Sequence, residues 1–103
     1  MYIEIDFNSD EAIYMQLRNQ IIMGIATSEI REGDTLPSVR QLAQTVGINM
    51  HTVNKAYAVL RQEGFVQLDR RKGAVVKNIT IAPFSILDEY QLLQSFGREN
   101  TSV

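Results

Sequence analysis

Residues 36–57, LPSVRQLAQTVGINMHTVNKAY, contain two short apolar stripes at helical spacing on either side of one glycine. Val39, Leu42, Ala43 and Val46 recur at i, i+3, i+4 and i+7, and Val53, Ala56, Tyr57 and Leu60 repeat that spacing. Each stripe predicts an amphipathic helix, and a connection this short lets both helices bury their stripes in one core. Gly47 supplies the positive φ that a tight turn between them needs, and the small Ala43 permits close approach. Ser38, with Gln41 three residues on, reads as a capping box for the first helix, and Asn49 as the N-cap of the second. The pattern is that of a helix-turn-helix, whose second helix can enter a DNA major groove.

Outward from this stretch the elements are simpler. Ile13, Leu17, Ile21 and Ile25 repeat at i+4 and predict an earlier helix over Glu11 to Ser28, with Asn8-Ser9-Asp10 as its loop and cap. Tyr2 to Phe7 alternates apolar and acidic residues, as a short strand or an extended arm does. Glu32-Gly33-Asp34 is a turn, and Pro37 holds Leu36 extended. Gly64 is placed to end the third helix at C′. Phe65 to Leu68 and Ala74 to Lys77 are rich in β-formers and flank Asp69-Arg70-Arg71-Lys72-Gly73, a hairpin loop with a basic tip. The expected fold is mainly α with a small β-hairpin: a winged helix-turn-helix over residues 1–78. Residues 79–103 are expected to form a connector and a C-terminal dimerisation helix, whose apolar side is Ile86, Leu87, Tyr90, Leu93 and Phe96.

Composition narrows the function. The 103 residues contain no cysteine and one histidine, His51, so disulfides, thiolate chemistry and the common metal and nucleophile systems are poorly supplied. There is no glycine-rich phosphate loop, and no apolar run approaches the roughly 20 residues of a membrane span. The expectation is a cytoplasmic, non-enzymatic protein with no cofactor and no metal; nothing identifies a small-molecule effector. The net charge of −2 conceals an uneven distribution. Eight basic residues between 31 and 78 face four acidic ones, so that block is net +4 while both ends are acidic. Fields act over about 10 Å at moderate salt, so the local excess governs what the middle block attracts.

On a helical wheel the face of the third helix opposite its core stripe is centred on His51, Lys55, Ala58 and Gln62, with Thr52, Asn54 and Val59 at its edges. Asn54 is suited to adenine, Lys55 to guanine or phosphate, and Thr52 to a base or phosphate. A polar outer face is equally what any amphipathic helix carries. Arg70, Arg71 and Lys72 can grip phosphates or enter a minor groove, or form a solvated turn. Arg40, in the first turn of its helix, is poorly placed for the helix dipole unless a phosphate lies nearby. Tyr14 reads as a packing residue, and Met15 and Met23 as core or interface.

At these residues the chain resembles the GntR family of bacterial transcription regulators, YtrA-like subgroup. The matching pieces are Ile13-Tyr14-Met15-Gln16-Leu17, Leu36 to Ala43, Thr52-Val53-Asn54-Lys55-Ala56-Tyr57 and Glu63-Gly64-Phe65-Val66. The resemblance implies a homodimer that binds a palindromic double-stranded DNA operator, usually as a repressor. It carries DNA contacts over to Arg40, the Asn49–Thr52 turn, Asn54 and the wing near Gly73; together with the readings above, the candidate DNA-binding residues are Ser38, Arg40, Asn49, Met50, His51, Thr52, Asn54, Lys55, Arg70, Arg71, Lys72 and Gly73. Met50 stands where many family members have arginine, and Arg71 where the wing often has a second glycine. The rival reading is a winged-helix adaptor whose basic wing touches an acidic protein.

Overall fold

The computed structural model describes residues 1–77. Three helices, α1 (Ile13–Ala26), α2 (Val39–Val46) and α3 (Met50–Gln62), precede an antiparallel hairpin of β1 (Val66–Asp69) and β2 (Gly73–Val76). Pairing runs from Val66 with Val76 to Asp69 with Gly73, which leaves Arg70, Arg71 and Lys72 as the tip. This is a winged helix-turn-helix. The expected C-terminal helix, with Ile86, Leu87, Tyr90, Leu93 and Phe96, lies outside the described residues.

The core is the one the periodicity marks. Leu17, Ile21 and Ile25 from α1 meet Leu42 and Ala43 from α2, Val53, Ala56 and Leu60 from α3, and Phe65, Val66 and Val76 from the hairpin. The helix-turn-helix is closed by local chemistry. Ser38 Oγ accepts from the Gln41 amide at 3.1 Å, and Asn49 Oδ1 from the His51 amide at 2.6 Å, satisfying first-turn donors that have no partner within their helices. Gly47 ends α2 at φ +79°, where its amide and that of Ile48 both reach Ala43 O. Only half of the expected capping box forms: the Gln41 side chain makes no return bond to Ser38 among the described residues.

The first helix is shorter than its periodicity suggests. It starts at Ile13 behind Ala12, which gives no side-chain cap, so Asn8-Ser9-Asp10 does not cap it; Ser9 Oγ instead accepts from the Glu11 amide at 3.0 Å. It stops at Ala26 because Ser28 turns to φ +64°, letting the Ile30 amide reach back to Gly24 O and Ile30 pack on that glycine. Tyr2 to Phe7 is an extended arm, not a strand. Two glutamines of α1 hold it. Gln20 Oε1 accepts from the Glu4 amide while its Nε2 donates to Glu4 O, and Gln16 does the same at Asp6. A carboxamide offers one acceptor and two donors, so each glutamine satisfies a backbone residue as a neighbouring strand would.

The wing is anchored at its base. Thr35 forms a bridge with Val75, and the Gly33 and Leu36 amides donate to Val76 O and Ala74 O, each at 2.8 Å. The Val76 amide returns a bond to Asp34 O at 2.8 Å. The segment before α2 therefore acts as a third strand, and the hairpin is fixed relative to the helix-turn-helix.

Candidate nucleic-acid interface

Two concave surfaces connect the residues singled out by sequence. A depression of about 410 Å³ lies where α2 meets the start of α3, lined by Arg40, Ala43, Gln44, Gly47, Ile48 and Met50. A groove of about 210 Å³ separates α3 from the hairpin, lined on one side by Asn54, Ala58 and Arg61 and on the other by Leu68 and Ala74. Arg40 and Met50 thus share one site, and Asn54 faces the wing across another. Ser38, Arg40, Asn49, Met50, His51, Asn54 and Lys55 are all exposed, and Thr52 is half-buried. Ser38 and Asn49 use their side-chain oxygens as helix caps, which orients α2 and α3.

Lys55 is not simply splayed into solvent. Its Nζ lies 4.2 Å from the centre of the Tyr14 ring, so a residue of α1 holds the ammonium beside α3. Tyr14 packs as expected, against the core, and additionally supports this cation. Sequence reading missed that pairing because 41 positions separate the two residues. It also missed Gln44 and Arg61 as lining residues; Gln44 lies one turn beyond Arg40 on α2, a spacing that was legible.

Tyr57 links the two helices of the motif. Its hydroxyl donates to Pro37 O at 2.6 Å, and burial pushes its pKa up from the ordinary tyrosine value. The far end of α3 is tied to α1 by Arg18, whose Nε and Nη2 donate to the two carboxylate oxygens of Glu63 at 2.7 and 2.6 Å. Those hydrogen bonds raise the guanidinium pKa, against a smaller effect of burial.

At the wing tip Arg70, Arg71, Lys72 and Gly73 are exposed. Asp69 Oδ1 accepts from the Arg71 and Lys72 amides at 2.8 and 2.9 Å, which lowers its pKa and shapes the turn beneath the three cations. Among the described residues no cluster of His, Cys, Asp and Glu is disposed to hold a metal, and no helix is long and apolar enough to cross a membrane.

The sequence pattern described as "Bacterial regulatory proteins, gntR family" matches residues 10–76, from the start of α1 to the end of the wing. The chain belongs to the GntR family. The transcriptional repressor YtrA of Bacillus subtilis is 38% identical over 74 residues, 72% of this chain and 57% of that protein. The regulator YhcF of the same organism is 33% identical over 70 residues, 68% of this chain and 58% of its own length. The chain therefore spans less than two thirds of these curated relatives. Among solved structures, YtrA from Sulfolobus acidocaldarius, a GntR-family transcription factor, is 42% identical with a TM-score of 0.72, covering 89% of this chain and 97% of that one. These likenesses make this a YtrA-like member of a family of bacterial regulatory proteins. The DNA-binding domain of AraR, solved in complex with an operator, shares the fold at a TM-score of 0.62 and 23% identity, over 74% of this chain and 98% of that one.

Proposed function

We propose that this GntR-family chain is a sequence-specific DNA-binding transcription regulator, acting in the cytoplasm as a homodimeric repressor on a palindromic operator. The observation that carries the reading is the succession of two concave surfaces along α2, α3 and the hairpin. They run from Arg40 through the depression at Met50, along the Asn54 side of α3 and across the groove to Leu68, and the same hairpin ends in Arg70, Arg71 and Lys72. Positive charge is concentrated in this middle block of an otherwise acidic chain. Phosphate contacts from Arg40 and the wing would set register, while the first turns of α3, with His51, Thr52, Asn54 and Lys55, would meet base edges. Two copies joined through residues 86–96 would place their α3 helices about 34–36 Å apart, one turn of B-DNA. Occlusion of a promoter is the simplest form of repression for such a dimer.

The test is titration of the protein onto genomic promoter fragments and scrambled DNA at several salt concentrations. The promoter should bind more tightly, and changing Arg70, Arg71 and Lys72 to alanine should reduce the salt slope by up to about 3. Equal binding to both DNAs refutes sequence specificity. Sedimentation of Leu93→Asp addresses the dimer: an unchanged dimer rejects residues 86–96 as the interface.

A further inference from the structure

The depression between α2 and α3 contains a side chain whose exposure the fold does not explain. Met50, the first residue of α3, is 46% exposed, although every other large apolar residue of α2 and α3 is buried or half-buried. It joins Ala43 and Ile48 to give this concavity an apolar wall, while Arg40 and Gln44, one turn apart on α2, give it a polar edge. A single exposed methionine needs no special cause on an arbitrary surface. This one stands in the first turn of the second helix of a helix-turn-helix, the part of such a helix that reaches base edges.

Only one base presents an apolar group in the major groove. Guanine, cytosine and adenine offer only donors and acceptors there, whereas thymine adds its C5-methyl. A thioether chain is unbranched, polarisable and adaptable, and offers the other three bases no donor and only a weak acceptor. A polar-edged, apolar-walled recess therefore matches an A·T pair entered from the thymine side, with the methyl against Met50 and Gln44 within the same recess for the polar edge.

We infer that Met50 is a specificity-determining residue that recognises the C5-methyl of a thymine in each operator half-site. The inference rests on the DNA-binding reading above.

The experiment pairs a protein change with a base change. A fragment retained from genomic DNA is footprinted, and each protected thymine is replaced singly by deoxyuridine, which removes the methyl alone. Dissociation constants are then measured for the wild-type chain, Met50→Ala and Met50→Leu. Wild type should lose about fourfold at one thymine per half-site, the worth of one methyl group taken out of water. Met50→Ala should bind the thymine DNA more weakly and be indifferent to deoxyuridine at that position, and Met50→Leu should retain most of the discrimination. Thermal melting of both variants should match wild type, because the side chain is outside the core. If no thymine methyl matters, or if Met50→Ala keeps the same deoxyuridine sensitivity as wild type, the assignment of Met50 is overturned while selective binding stands. If the wild-type chain shows no selective binding at all, both readings fall.

Discussion

Replacing Tyr57 by phenylalanine tests whether a single hydroxyl sets the stability of the helix-turn-helix. The hydroxyl donates to Pro37 O at 2.6 Å, joining the middle of α3 to the residue before the α2 cap. Both partners are half-buried, so water can reach the carbonyl once the hydroxyl is gone. The cost should therefore be that of an ordinary hydrogen bond, about 1 kcal/mol, and not that of a fully orphaned buried group. In a domain of this size that lowers Tm by about 4–8 °C near neutral pH. Alkaline pH should erase the difference. Burial raises the pKa of folded Tyr57, while the unfolded chain ionises near pH 10. The stability that Tyr57 confers is accordingly complete below pH about 10 and is lost as pH rises toward the folded value. Preferential ionisation of the unfolded state contributes about 1.4 kcal/mol by one pH unit above 10, so the wild-type and Tyr57→Phe curves should cross near pH 10.7. The other tyrosines cancel in the comparison. Urea unfolding of both proteins between pH 7 and 11 provides the measurement. Equal stability at pH 7, or a gap that stays constant up to pH 11, refutes the argument.

Three further outcomes follow from the remaining long-range contacts. A double-mutant cycle on Arg18 and Glu63 should give a coupling of about 0.5–1 kcal/mol that shrinks in 1 M salt, since the pair is bidentate but its side chains are 21% and 37% exposed. Changing Gln16 to leucine should loosen the amino-terminal arm at Asp6, because Gln16 bonds the Asp6 amide and Glu11 O and shares Asp6 O only with the Ser9 amide, while Gln20 still holds Glu4; amide exchange at Asp6 should accelerate while that of α3 stays unchanged. Asp69, with its pKa lowered by the Arg71 and Lys72 amides, should support the wing turn above the ordinary carboxylate range and release it as pH falls through its folded value. Amide chemical shifts at Arg71 and Lys72 should report that acid transition in the wild-type chain and lack it in Asp69→Ala.

The amino-acid sequence by itself determined the helix-turn-helix and the wing. Ser38, Gly47 and Asn49 act on backbone groups within five positions of themselves, so their effect is set before any tertiary packing. Val53, Ala56 and Leu60 share a stripe by helical geometry alone, and burial follows from that stripe. Helix α1 was legible in kind but not in length, because it ends where Ile30 folds back on Gly24, a chain reversal that the apolar spacing does not mark. The arm was ambiguous for the same reason: alternation allows a strand, and only the two glutamines of α1 decide how its backbone is satisfied. The placement of Lys55 over Tyr14, the bond from Tyr57 to Pro37 and the pairing of Thr35 with Val75 likewise belong to the tertiary structure. Those contacts join residues 20 or more positions apart, and a distance that long is set by how the helices and hairpin pack, not by spacing along the chain.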